Sequence, residues 1–574
     1  MTAKRWFIML AAAVALAAAL VCGFNALVDP FGVFGDRVLN WYAYNMTQNP
    51  KAAKAAYLKD RLGDYNAYVI GPSGSSSFSP QALDAYTGLR WYNTFNYGMN
   101  MDYTLKLATY LAENGAVEHF LLNLPYISAI DPGETADSAT EWFHPDLAEN
   151  GAVQWLRFLF ANPRYAIAKI QDYRRDSYLQ EPYDVFNPET GVYDKSKRDI
   201  EPIGSLDAYL LKYPEFTARG SNDKRLGSID ALMETVAEIK SLCDAHGITL
   251  TVVIPPVSES YASDYNREDE AAFRARLAAV TEFYDFGAYG GEDPRYFYDT
   301  GHFRNSLGNM ILAEIFHDKT VYTLDGTERA HNLQVLLYHH IVEEGETAGA
   351  TMTLADFGQE MAFLHENGYN TVNIADIISF VREGVPLPEN AVLIRFDDGY
   401  LSNYELAYPV LQRYGFKAVI FTIGVSVGKD TYKETDAPII PHFTFAQAKE
   451  MINSGLVEVH SHSYDMHQSA VLDGADCRQG VSQRPGESEA DYVAAFIDDF
   501  TRSRMELEQN TGQTVTAFAY PEGRYNLHAQ VMLGKLGIDV TMITERGVNT
   551  LVKGLPQSLC NLKIVSFDEL AVQN

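Results

Sequence analysis

Two adjacent carboxylates, Asp397 and Asp398, follow the run Ala391-Val392-Leu393-Ile394-Arg395-Phe396 and precede Gly399. Neighbouring side chains at the end of an extended run point in different directions, so one can hold a metal while the other works as a base. An Asp-Asp-Gly turn by itself is an ordinary solvated turn. A second run, LVEVH, leads through His460 to His462 and His467, which places three of the chain's 14 histidines close together. His462 and His467 are five apart, which misses one helical face but lets two loop imidazoles converge on one ion. With one aspartate they make a two-His-one-carboxylate set with open positions, typical of a catalytic divalent metal. His460 reads as an outer or strand residue. A third run, TAFAY, ends in Tyr520-Pro521-Glu522-Gly523-Arg524, a turn whose backbone N–H groups can meet an oxyanion. Tyr520, Pro521 and Glu522 are the candidate oxyanion or substrate contacts.

A separate constellation lies in the first half. AYVIG is followed by Pro72 and Ser73, and far downstream comes Asp299-Thr300-Gly301-His302. A Ser just past a buried strand is a candidate nucleophile, and a His three residues after an Asp is a candidate base oriented by it. Gly98 and Asn123 are candidate oxyanion donors. Taken singly, a Ser in a turn and an Asp-x-x-His are also commonplace.

The elements that must position these groups alternate strand and helix. AYVIG, Trp91–Phe95, Phe120–Leu124 and ITLTVVIPP read as strands. Helix-period segments cover about 102–114, 226–246, 268–281 and the stretch after Asn305, so a parallel sheet with crossovers is expected. Residues 130–225 read as an insertion or cap. The polar stretch DKTVYTLDGTERAHN breaks the pattern. Six further strands then follow: QVLLYH, AVLIRF, KAVIFTI, LVEVH, TAFAY and DVTMI. Their number over this length suits a distorted (β/α) barrel, which builds active sites at the C-terminal ends of its strands. The region from Gln468 to Glu487 reads as a mobile surface loop.

At 574 residues the chain holds two or more domains, and 47% apolar with 21% charged residues excludes wholesale disorder. A net charge of −30 with no basic tract excludes nucleic acid as a partner. Lys4 and Arg5 precede the apolar run Trp6–Phe24, which at ~1.5 Å per residue spans about 28 Å, near the thickness of a bilayer core. With the positive charges first, the bulk of the chain faces outward. The expected location is the cell membrane, with an N-terminal anchor; the alternative is secretion after signal cleavage. Four scattered cysteines give no thiolate metal site, and a Cys477–Cys560 bridge stays open. The expected division is 1–28 anchor or signal, 29–319 first α/β domain, 320–333 linker and 334–574 second α/β domain.

From Gln334 onward the sequence resembles the polysaccharide deacetylases of carbohydrate esterase family 4. The likeness rests on LYHH, TLADFGQEMAFLHENGYNTVNIADI, FDDGY, MINSGLVEVHSHSYDMH, GESEADYVAAFIDDF and FAYPEGRYN, in that order. The five-residue histidine spacing is most similar to that of poly-N-acetylglucosamine deacetylases. The resemblance implies that Asp398, His462 and His467 bind Zn²⁺, or Co²⁺ or Ni²⁺, that Asp397 is the general base, and that an N-acetylated polysaccharide is the substrate. Three departures stand out: Arg395 replaces a common Thr, Glu522 replaces a common Tyr, and no His follows His528. The missing C-terminal His leaves either His339 or His340 as the acid, or else an intrinsically weak activity. Residues 29–319 resemble SGNH-type hydrolases and acyl-transfer proteins through VIGPSGSSSFSP, TFNYG and FYDTGHFRNSLGNMIL, although Pro72 replaces the usual Asp. That resemblance implies a triad of Ser73, Asp299 and His302 acting on O-acyl esters. The expected function is metal-dependent N-deacetylation with a candidate second O-acyl activity. The alternatives are a peptidoglycan or xylan deacetylase and a non-catalytic polymer-binding or assembly protein.

Overall fold

The computed structural model describes residues 3–98, 101–130, 138–174, 185–324, 329–345, 347 and 349–572. The chain divides into two units, one of Met1–Lys195 with Leu210–Asp318, the other of Ser196–Tyr209 with Lys319–Asn574.

Unit 1 is built on five parallel strands in the order Trp91–Asn93, Ala67–Ile70, His119–Asn123, Thr249–Ile254, Tyr284–Asp285. The inner strands are covered on both faces, which is why AYVI and FLLN read as unbroken buried runs. Leu107 and Leu111 of helix Met101–Asn114, Val236 and Ile239 of Ile229–His246, and Phe273 and Leu277 of Arg267–Val280 share one core with the sheet. In chain order the strands run 2-1-3-4-5, so the winding reverses between Ala67–Ile70 and His119–Asn123. Open α/β sheets bind ligands outside the carboxyl ends of strands at such a reversal.

The N-terminal helix covers Ala3–Val28, longer than the apolar run itself. Its large side chains from Trp6 to Leu20 are exposed, whereas Asn25 and Val28 are buried against the rest of unit 1.

In unit 2 the strand path is Asn549–Val552, Ala330–Tyr338, Ala391–Phe396, Ala418–Thr422, Val457–Ser461, Ala517–Ala519, Val540–Arg546, Leu562–Ile564. Asn370–Val372 pairs with the first half of Ala391–Phe396. All pairs are parallel except that of Asn549–Val552 with Ala330–Leu333. The Val565 N–H donates to Val335 O at 2.9 Å, so the sheet curls into a nearly closed barrel. Ala391 and Leu393 pack on one side with Val419, Phe421, Ala519 and Met542. Val392, Ile394 and Phe396 pack on the other with helix residues such as Phe357, Leu411 and Phe496. This alternation puts Arg395 and Asp397 on the Ala391–Leu393 side.

Three details differ from the sequence reading. Ala330–Leu333, read as linker, opens the first barrel strand, because its polar side chains occupy a half-exposed stretch. Ser196–Tyr209 belongs with unit 2, where Gln557 donates to Asp199 at 3.1 Å. The Cys477–Cys560 bridge does not form: both are free thiols, and Cys560 Sγ accepts from Gln530 at 3.5 Å.

Candidate active site

Asp397 and Asp398 emerge from the fully buried strand Ala391–Phe396. Asp398 has φ 71°, and Gly399 follows with φ +80°. A Cβ on Gly399 would stand 2.4 Å from Thr422 Oγ1, so the turn needs glycine for both conformation and space. His462 begins the loop after Val457–Ser461, with its N–H on Thr422 O at 3.0 Å. Its Nδ1 donates to Ala519 O at 2.8 Å, which leaves Nε2 as a lone-pair donor. That Nε2 lies 3.6 Å from Asp398 Oδ1, and His467 Nε2 lies 3.7 Å from the same oxygen. Burial above all lowers the His462 imidazole to about 4, so it is neutral near pH 7.

These three side chains fit a metal. Their ligand atoms lie within 4.8 Å of one another. Asp398 Oδ1 is buried without a hydrogen-bond partner, a cost that a cation between the three groups would remove. The loop carrying His467 is pinned from helix Glu489–Thr511, where Asp499 accepts the N–H groups of Tyr464 and Asp465 at 2.8 and 2.6 Å. Ser463, at φ 72°, accepts from the Met466 N–H at 3.1 Å.

Asp397 is held differently. Arg395 Nε and Nη2 donate to its two carboxylate oxygens at 2.7 and 2.6 Å, and Arg395 Nη1 donates to Ile543 O at 2.8 Å. Arg395 is 0% exposed and Asp397 2%. Burial raises the Asp397 pKa, but Arg395 first, then His462 and His339, carry it below the ordinary carboxylate value. Asp397 is therefore an ionised, fixed acceptor beside the candidate metal-binding cluster. The sequence reading noted Arg395 as a departure but missed this clamp, although residues two apart on a strand share a face.

His339 acts electrostatically on Asp397, whereas His340 turns to Ser402 Oγ at 2.9 Å and packs on the Tyr400 ring. The Tyr520 phenol is buried and donates to Gln530 at 2.6 Å, and its N–H donates to Met542 O. Tyr520 therefore supports the turn from the buried side. Pro521 has no N–H to offer. The Glu522 N–H, at φ 56°, donates to none of the described residues, and the side chain pairs with Arg524 at 3.1 Å. His460 is buried beside Glu458 at 3.5 Å, outside the metal-ligating set.

In unit 1 the structure joins the other three residues. Ser73 opens the turn Ser73–Ser77, and its Oγ lies 2.8 Å from His302 Nε2. His302 Nδ1 meets Asp299 Oδ1 and Oδ2 at 2.8 and 3.0 Å. Although burial raises it, hydrogen bonding and the charge of His302, with the Gly301 and His302 amides, hold the Asp299 carboxyl below its ordinary range. Asn93 Nδ2 donates to Ser75 O and Phe78 O, and Ser77 Oγ to Phe303 O, which ties the Ser73 turn to the His302 segment. A cavity of about 180 Å³ opens on Ser73 and His302, lined also by Gly98 and Asn123. Asn123 Nδ2 donates to Ser75 Oγ at 3.0 Å.

A family model for polysaccharide deacetylase matches residues 384–541. The Bacillus subtilis (strain 168) protein YxkH, whose name places it among polysaccharide deacetylases, is 32% identical over 231 residues, covering 40% of this chain and 70% of YxkH. This chain belongs to the polysaccharide deacetylase family. This chain is also similar to the poly-β-1,6-N-acetyl-D-glucosamine N-deacetylase of Escherichia coli (strain K12), with 29% identity over 239 residues. That match covers 38% of this chain and 35% of the E. coli enzyme, so the deacetylase spans about a third of that relative's length. Among solved structures, a de-N-acetylase from Aggregatibacter actinomycetemcomitans aligns over 42% of this chain and 96% of its own, at 25% identity and a TM-score of 0.36.

Proposed function

We propose that unit 2 removes N-acetyl groups from an extracellular N-acetylhexosamine polysaccharide of the poly-N-acetylglucosamine kind, in a metal-dependent hydrolysis. The observation that carries this reading is the convergence of Asp398, His462 and His467 beside a buried, arginine-clamped Asp397. The E. coli relative, named for N-deacetylation of poly-β-1,6-N-acetyl-D-glucosamine, supports the choice of substrate. Asp398, His462 and His467 would hold a divalent cation, Zn²⁺ ahead of Co²⁺ and Ni²⁺, which would supply Lewis acidity toward the acetamide carbonyl and lower the pKa of a water. Asp397 accepts the proton of the attacking water. The Glu522 N–H faces the negative charge that develops on the carbonyl oxygen. His339, whose charge acts on Asp397, returns a proton to the departing amine, so acetate and a glucosamine amine separate.

Chelation is expected to stop amine release from N-acetylglucosamine oligomers, and Zn²⁺ or Co²⁺ to restore it. Folded His462→Ala and His467→Ala proteins should bind metal weakly and release little amine. Undiminished release from either would refute the ligand assignment.

The Ala3–Val28 helix is read as a membrane anchor with both units outside. The burial of Asn25 and Val28 against unit 1 supports retention of the helix over its cleavage.

A second activity is favoured by the Ser73–His302–Asp299 line and its cavity at the sheet reversal. Unit 1 is assigned an O-acyl esterase or acyltransferase role. His302 takes the Ser73 proton as Oγ attacks an ester carbonyl, then gives it to the departing alcohol. A water or second hydroxyl afterwards frees Ser73. Ser73→Ala should abolish hydrolysis of 4-nitrophenyl acetate and leave amine release unchanged. Equal ester turnover in parent and variant would remove the assignment.

A further inference from the structure

The anchor helix is not left bare along its whole length. Its large side chains are open from Trp6 to Leu20, but Ala18, Val21 and Cys22 are half-covered and Asn25 and Val28 are buried. These positions fall at helical spacing on one face. Helices Gly151–Leu159 and Arg164–Tyr173 pack on this helix. Asn25 Nδ2 donates to Leu159 O and Ala161 O at 2.9 and 2.7 Å. Just beyond the helix, Lys169 donates to Asp29 O at 2.8 Å and pairs with Asp36 at 2.7 Å, both buried. The exit of the anchor is thus fixed to these two helices.

Depth follows from helix geometry. Residues 18 to 25 span about 10 Å along the axis, and residues 18–24 belong to the apolar run that is long enough to cross a bilayer. Whatever packs on Ala18, Val21 and Cys22 therefore lies at the level where acyl chains meet headgroups. The outward faces of the two helices suit that level. Val153, Leu156 and Phe160 are 47%, 54% and 57% exposed and lie three and four residues apart. On the second helix Ile167 and Tyr173 are 48% and 52% exposed. Arg157 and Arg164 are exposed on the same helices, in a chain whose overall charge is −30. An apolar face with tyrosine and arginine at its margin is the composition of an interfacial helix.

We propose that helices Gly151–Leu159 and Arg164–Tyr173 form a lipid-seated collar around the anchor, with Val153, Leu156, Phe160, Ile167 and Tyr173 in the headgroup–acyl boundary. The occupant of this apolar face is the bilayer itself, because the two helices that carry it pack on the helix read as crossing the membrane. The inference rests on the anchored reading of that helix. Unit 1 is then held at a fixed tilt on the membrane surface.

The test uses the full chain reconstituted into phosphatidylcholine–phosphatidylglycerol vesicles, with or without brominated acyl chains. Flotation first establishes that the protein is in the vesicles; failure there overturns the anchor reading as well as this one. Leu156→Trp and Phe160→Trp are compared with the parent and with Leu211→Trp, which places the new ring at another exposed apolar site of unit 1. Bromination should cause a loss of the added fluorescence at 156 and 160 and none at 211. Equal signals at all three positions in floated vesicles would overturn the collar while leaving the anchor standing. So would protection of residue 156 that depends on protein concentration, because the face would then meet a second copy.

Discussion

Replacing Arg395 with Met tests the arrangement around the base. The side chain makes two hydrogen bonds to Asp397 and one to Ile543 O, all buried. Methionine fills comparable space but leaves a carboxylate without its cation and a carbonyl without its donor. Removing one partner of a buried ion pair costs about 3–5 kcal/mol, a large share of the roughly 5–15 kcal/mol that holds a domain folded. At about 2–4 °C per kcal/mol for larger domains, the thermal midpoint of unit 2 should fall by about 6–20 °C. A second substitution separates charge from packing. In Arg395→Met/Asp397→Asn the uncompensated charge is gone, and most of the lost stability should return, a coupling on the order of 2–3 kcal/mol. Arg395→Lys keeps the charge but cannot form the bidentate fork, so it should fall between parent and Met variant. Differential scanning calorimetry of the parent, Arg395→Met, Asp397→Asn and the double variant supplies the cycle, with Arg395→Lys run alongside and amine release measured on each. A Met variant as stable and active as the parent, or a double variant no better than the single, would refute the clamp.

Asp499→Ala removes the acceptor for the Tyr464 and Asp465 amides, so metal affinity should drop about 10–100-fold with the fold retained; calorimetric titration giving an unchanged affinity would contradict this. Gly399→Ala meets Thr422 and a positive φ together, so it should destabilise unit 2 by about 1–3 kcal/mol or more and weaken metal binding, measured by urea unfolding and the same titration. Burial above all pushes Asp29 up to about 6, so its stabilising contribution is complete below the unfolded value near 3.9 and is lost as pH rises through the folded one. The thermal midpoint of unit 1 should accordingly fall less between about pH 5 and pH 7 in Asp29→Asn than in the parent; identical slopes would contradict the shift.

The central strands were legible because buried parallel strands write themselves as runs such as AYVI and AVLIRF. The candidate metal-binding cluster could be read for a related reason: Asp398 and His462 follow directly on two such runs, and His467 lies five residues further on. What escaped lies in contacts distant in sequence or in elements too short to show a pattern. Leu562–Ile564 has three residues, yet it brings Val565 to Val335 and nearly closes the barrel. Asp499 sits in the middle of a long amphipathic helix and reads there as a surface residue, although it fixes the His467 loop. The Gln468–Glu487 region, polar enough to read as mobile, carries Val481 into the core and holds Arg478 on Glu487. The collar helices fall in the stretch read only as a cap. Their apolar faces acquire meaning once Asn25 is seen bound to Leu159 and Ala161.

The central claim is that Asp397 takes the proton from water at a metal centre built by Asp398, His462 and His467. The direct test loads the parent and Asp397→Asn with Zn²⁺, measures bound metal, and follows amine release from N-acetylglucosamine oligomers. Retained metal with turnover lowered by about 10²–10⁴-fold is the expected result. Retained metal with turnover equal to the parent would contradict the account.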